Sequence, residues 1–108
     1  MADLLARLAE ATGFQWDAGN DTKSWTKHAV SNAECEDVFL NGPLVVDHDS
    51  GHSAGEARHF ALGRTQEGRH LFVVFTLRGT HIRVISARPM SRREREAYRR
   101  AEAQEEND

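Results

Sequence analysis

Two strand-like runs rich in β-branched and aromatic residues, Arg69 to Arg78 and His81 to Arg88, are separated only by Gly79-Thr80. No other feature restricts the fold as much. A two-residue loop with glycine first joins antiparallel strands and fixes their register. Counting outward predicts Arg78 opposite His81, Leu77 opposite Ile82, Thr76 opposite Arg83, Phe75 opposite Val84 and Val74 opposite Ile85. Side chains alternate between the faces of a sheet, so Leu71, Val73, Phe75, Leu77, Ile82 and Val84 share an apolar face that must be covered. The other face is apolar at one end, through Phe72, Val74, Ile85 and Ala87, and polar at the hairpin end, where Thr76, Arg78, His81 and Arg83 converge.

The flanking segments extend this hairpin. Arg58 to Gly63 reads as a third strand, entering the hairpin through Thr65-Gln66-Glu67-Gly68. If that loop holds a four-residue register, with Arg64 opposite Arg69, His59 stands opposite Val74 on the polar-ended face. Leu44 to Val46 is a short strand, followed by a polar loop from Asp47 to Gly55. Before these, Asp3 opens a helix with Leu4, Leu5, Leu8 and Ala11 on one face, closed by Gly13. Phe14-Gln15-Trp16 reads as an edge strand, and a second helix is expected from Asp17 to Lys27 or His28. Ser31 with Glu34 forms a capping box for a third helix carrying Val38 and Phe39, which Asn41-Gly42-Pro43 ends. Ser91 with Glu94 does the same for a last helix bearing Ala97, Tyr98 and Ala101.

The expected architecture is α+β: an antiparallel sheet of about four strands with a short N-terminal edge strand, packed against the N-terminal helices, and a C-terminal helix. Residues 1–13 form a helical extension, 14–101 a single domain, and 102–108 an acidic tail.

A chain of 108 residues has the length of one domain. Its longest apolar run, Leu71 to Phe75, is far too short to span a bilayer, and its start lacks the pattern of an export signal. No membrane association and a cytoplasmic location are therefore expected. The single cysteine, Cys35, lies among Glu34, Glu36 and Asp37, which disfavour a thiolate, so it reads as a packed or idle thiol.

The net charge of −3 conceals a strong segregation. Residues 1–55 hold three basic side chains against nine acidic ones, whereas residues 56–100 hold eleven arginines against four glutamates, and the last eight residues add four acids. An all-arginine basic block suits phosphate, because guanidinium forks pair bidentately with phosphate oxygens and stay charged. Two arginines side by side on a sheet repel unless an anion or carboxylate lies between them. The pairing of Arg78 and Arg83 therefore reads as a phosphate site, against the plainer possibility of a decorated hairpin tip.

The residues also match a known pattern. Phe14-x-Trp16-Asp17, Lys27-His28-Ala29-Val30-Ser31, Val38-Phe39, Asp49-x-x-His52-Ser53-x-Gly55-Glu56-x-Arg58, Gly68-Arg69, Thr76-x-Arg78-Gly79, Ile82 to Arg88 and Glu94-x-x-x-Tyr98 together resemble the BrnT family, over roughly Phe14 to Arg100. Asn20, Ser24 and Ala29 stand where that family usually has lysine, asparagine and glycine. The resemblance implies a RelE-like fold with helices on one side of the sheet, and RNA cleavage that arrests translation. It further implies neutralisation by a ribbon-helix-helix antitoxin, whose complex represses its own promoter, so that promoter DNA is met only through the antitoxin.

Cleaving RNA through its 2′-hydroxyl takes a base for that proton, cations for the phosphorane and an acid for the leaving 5′-oxygen. It requires no metal and no cofactor. Arg78 and Arg83 are the expected phosphorane stabilisers, with His28, Lys27, Glu56 and His59 as further catalytic candidates. Lys23, Arg58, Thr76, His81 and Arg88 are expected to bind RNA or phosphate. Two other classes remain open: a binding module that breaks no bond, and a metal enzyme using Asp47, His48, Asp49, His52, Glu56 and His59, whose loop lacks the helix that would align the histidines.

Overall fold

A computed structural model of the chain describes residues 2–49 and 56–107. In order, the elements are α1 (Ala2–Ala9), β1 (Gly13–Phe14), α2 (Lys23–His28), α3 (Asn32–Leu40), β2 (Val45–His48), β3 (His59–Arg64), β4 (His70–Arg78), β5 (His81–Pro89) and α4 (Arg92–Asn107). The strands form one sheet in the order β1-β5-β4-β3-β2. From β2 to β5 each strand is antiparallel to its neighbour, as expected, but the N-terminal edge strand β1 runs parallel to β5, so the sheet is mixed.

At the hairpin the pairs Arg78/His81, Leu77/Ile82, Thr76/Arg83 and Phe75/Val84 form as expected. Gly79 takes a φ of 61°, the left-handed conformation that a glycine-first hairpin turn uses. Beyond Phe75 the expected register fails, because Val74 pairs with Ser86 and not with Ile85. Ile85 is the extra residue of a β-bulge, and such an insertion reverses which face the following side chains occupy. Ala87 thereby joins Val73 in the core, 1% exposed, and Arg88 emerges opposite Phe72 on the other face.

The β3–β4 register also differs from expectation. Thr65 N–H donates to the Arg69 carbonyl at 2.9 Å, so the loop proper is Gln66-Glu67-Gly68, with Gly68 at φ 90°. Arg64 consequently pairs with His70 and His59 with Phe75. His59 is thus on the core face and 3% exposed, not on the polar-ended face beside Arg83.

α1 and α3 cover the core face, where Leu4, Val30, Cys35 and Val38 pack against Ala61, Leu71, Val73, Phe75, Ile82 and Val84. Leu4 and Leu8 share a stripe of α1, whereas Leu5, one residue and about 100° away, is 54% exposed. α3 approaches β3 so closely that a Cβ on Gly63 would lie 2.6 Å from a Val38 methyl. The Ser31/Glu34 capping box is formed in full, and burial drives the Cys35 thiol up to about 12.

α4 lies on the opposite face, so helices flank the sheet on both sides and not on one side as the resemblance implies. Its Tyr98 ring is fully buried with Leu62 and Met90 against Phe60 and Phe72, and the Tyr98 hydroxyl donates to the Pro43 carbonyl at 2.6 Å. Arg64 grips Glu102 at 2.8 Å and Glu105 at 2.9 Å. These acidic residues therefore belong to the last turns of α4.

α2 is much shorter than predicted. The Asn20 side chain accepts from Asp17 N–H at 2.8 Å, the Asp17 carboxylate accepts from Gly19 N–H at 2.9 Å, and Thr22 sits at φ 59°. Local side-chain bonds hold residues 17–20 in a turn, which competes with helix. The helix that follows hangs on the outer edge of β5: Asn20 Nδ2 donates to the Val84 carbonyl and Ala87 N–H donates to Ser24 Oγ, each at 2.8 Å. These bonds satisfy edge groups that β1 is too short to reach.

Candidate functional site

Between α2 and the end of β5 lies an open groove of about 350 Å³. α2 contributes Lys23, Ser24, Lys27 and His28, since residues four apart share a helix face. β5 contributes Ile85 to Arg88 on the far side of the bulge, Phe72 comes from β4, and Arg58 enters from the segment before β3. Five of the residues that sequence assigned to RNA or catalysis, Lys23, Lys27, His28, Arg58 and Arg88, are thus gathered, and among the described residues no carboxylate lines the groove. Among the described residues, neither lysine has an ion pair.

Two side chains outside the groove hold its walls. The Arg69 guanidinium donates to the His28 carbonyl at 3.2 Å and the Ala29 carbonyl at 2.8 Å, and pairs with Glu34 at 3.1 Å, so it ties the end of α2 to the start of α3. A cation beside the last carbonyls of a helix is well placed for them. Arg88 is held by Glu94 through two bonds, at 2.8 and 2.9 Å, and its guanidinium carbon lies 4.1 Å from the centre of the Phe72 ring. The Glu94 hydrogen bond keeps Arg88 protonated beyond its ordinary range, and Arg88 in turn lowers the Glu94 carboxyl.

The hairpin end is arranged differently from the expectation. Thr76 and Arg83 do stand side by side, but the Arg83 fork is taken by Asp17 at 2.7 and 3.0 Å, and Arg78 binds Glu56 at 3.0 Å. Each carboxyl is lowered chiefly by the hydrogen bond from its arginine. The anions between these arginines come from the chain itself. Thr76 is buried, with its hydroxyl donating to the Ala57 carbonyl at 2.7 Å, while His81 is exposed at the hairpin tip.

His59 lies apart from both clusters. Its ring sits 5.4 Å from Phe75 and 5.0 Å from His48, and burial, followed by the charges of His48 and Arg7, lowers its pKa. Among the described residues, no three His, Cys, Asp or Glu side chains come together to hold a metal ion, and His52 of the metal alternative lies outside them. Nor is any described helix long and apolar enough to cross a membrane.

Sequence reasoning missed Ser24, Phe72 and Ser86 in the groove, and the supports Arg69, Glu94 and Asp17. Ser91 and Glu94 did signal a helix cap, which forms, with the Glu94 carboxylate accepting from Ser91 N–H at 2.7 Å. Nothing in a capping motif reveals that the same carboxylate reaches back to Arg88.

A small α+β domain with a basic groove on its sheet edge belongs among proteins built to receive a polyanion. More specifically, the chain belongs to the BrnT family: residues 16–94 match the family described as ribonuclease toxin, BrnT, of type II toxin-antitoxin system. That span contains every groove residue and Glu94. Membership makes the chain a ribonuclease toxin, with an antitoxin as its partner. A comparison with curated proteins gives no match.

Proposed function

We propose that the chain is a metal-independent endoribonuclease, that it cuts RNA in the groove between α2 and β5, and that a ribbon-helix-helix antitoxin silences it by covering this surface. The observation that carries the reading is the convergence of Lys23, Lys27, Arg58 and His28 in a space that no carboxylate among the described residues lines. Such a surface draws in a phosphodiester, and its cations meet the charge that grows on the phosphorane. A base removes the 2′-hydroxyl proton, the 2′-oxygen attacks phosphorus, and the P–O5′ bond breaks as an acid protonates the departing oxygen. The products are a 2′,3′-cyclic phosphate and a 5′-hydroxyl. His28 brings an imidazole into the groove, a group that can take or give a proton through its ring nitrogens. Cutting RNA in this way inhibits translation.

The chemistry is placed in the groove and not at the hairpin end because Asp17 and Glu56 already occupy Arg83 and Arg78. The test is cleavage of a labelled RNA in the presence of EDTA, with growth arrest on expression as the cellular readout. His28→Ala is expected to lose about 10²–10⁴-fold in rate and Lys27→Ala about 10²–10³-fold, each with an unchanged circular dichroism spectrum. Full activity of both variants would remove the groove from the mechanism, and dependence on added metal would refute the scheme. The growth arrest should disappear when the antitoxin is co-expressed and co-purifies.

A further inference from the structure

Arg88 combines three properties that fit poorly with phosphate binding. Its fork is engaged by Glu94 at 2.8 and 2.9 Å, and one of the same nitrogens donates to the Pro89 carbonyl at 3.1 Å. Those bonds use the edge of the guanidinium, which is where a phosphate would otherwise bind. One face is backed by Phe72, whose ring is itself stacked on Phe60 with centroids 5.5 Å apart and planes 20° from parallel. The side chain nevertheless lines the basic groove and is 38% exposed. A planar cation with its edge tied up and one face supported has its other face left for contact. Nucleobases stack on arginine planes as they do on aromatic rings.

We infer that Arg88 is a stacking platform for one nucleobase of the bound strand, extending the row Phe60, Phe72, Arg88 into the groove, while Lys23 and Lys27 take the phosphates beside it. The inference rests on the RNA-cleaving reading and deepens it by assigning a base subsite. Carboxylate neutralisation by Glu94 makes the platform a flat surface more than a charge. Stacking needs only a π face, so the subsite orders the strand without requiring a particular base.

The test uses the full chain and a short 2′-O-methyl RNA, which cannot be cleaved by 2′-hydroxyl attack, with binding read by fluorescence anisotropy. An abasic residue is moved through each position of the RNA in turn. For the wild-type chain, one position is expected to lose about 5- to 150-fold in affinity, the range of a single stacked base. Arg88→Lys keeps the charge and a partner for Glu94 but loses the plane. It should bind the intact RNA more weakly by a similar factor, show no further loss at that abasic position, and keep the same salt dependence. An abasic scan with no sensitive position overturns the inference without any variant. So does an Arg88→Lys chain that binds intact RNA as tightly as wild type, or one whose loss is the same for intact and abasic RNA. Failure of the wild-type chain to bind any of these RNAs would instead overturn the RNA-cleaving reading, and the base subsite with it.

Discussion

Replacing Ala29 with glycine should stabilise the domain. Ala29 follows the last residue of α2 at φ 54° and ψ 42°, in the left-handed region, with its N–H donating to the Trp25 carbonyl at 2.9 Å. An L residue carries about 1–2 kcal/mol of steric penalty there, which glycine does not. Against this stands the greater freedom of glycine in the unfolded chain, about 0.4–1 kcal/mol. The Ala29 methyl belongs to an exposed residue, so its loss removes no core contact, and the backbone bonds to Trp25 and Arg69 are unaffected. The net expectation is a gain of roughly 0.5–1 kcal/mol, raising the melting temperature by about 2–6 °C. Urea unfolding is the direct assay: the midpoint should rise by about 0.5 M with an unchanged slope. Ala97→Gly, on the exposed side of α4, provides the opposite sign, a loss of roughly 0.5–1 kcal/mol. A midpoint for Ala29→Gly that is unchanged or lower, at constant slope, would refute the strain argument. RNA cleavage by this variant should match the wild type.

Gly63→Ala should destabilise by about 1–3 kcal/mol, because the new methyl meets Val38; calorimetry should show part of the loss recovered in the Gly63→Ala/Val38→Ala pair. His59, held below its ordinary 6.5 chiefly by burial, gives full stability above that pH. As pH falls through and below 6.5, the unfolded chain takes up a proton that the folded form resists, so stability declines. His59→Leu should flatten the urea midpoint between pH 7.5 and pH 5.5, and an unchanged pH profile would count against the burial argument. Lys23→Ala should lower the dependence of RNA binding on salt by about one ion in a titration of affinity against salt concentration, with the fold unaltered.

The sequence made the hairpin legible because a two-residue loop leaves no latitude in how its strands pair. From Arg78/His81 to Phe75/Val84 the pairing followed directly. The Ile85 bulge was not legible: an inserted residue in a strand is chosen by packing on both faces, and Ile85, Ser86 and Ala87 carry no local mark of it. The loop before β4 was ambiguous for a related reason. Gly68 fits a four-residue turn or a three-residue loop closed by Thr65 and Arg69, and the choice decides the side on which His59 falls. The charge segregation did locate a basic surface. Its partners, such as Asp17 for Arg83 across 66 positions of sequence, exist only once the turn at residues 17–20 is folded. Lys23, Lys27 and His28 are candidates by residue type alone, and the groove between them and β5 exists because Ser24 hangs α2 on the sheet edge.

The bulge makes β5 a strand written in two phases. Its first half addresses the core through even-numbered positions, Ile82 and Val84, and its second half through Ala87. Shortening the strand by one residue at Ile85 would remove the bulge and leave every later address unchanged, because Val84 and Ser86 would then alternate as neighbours in an unbroken strand. Drawing Ile85 into regular pairing opposite Val74 would instead turn Arg88 under α1 and α3 and put Ala87 on the groove side in its place. The unpaired place of Ile85, and not the length of the strand, thus works as a parity shift that keeps a guanidinium out of the apolar interior and one wall of the basic surface in position.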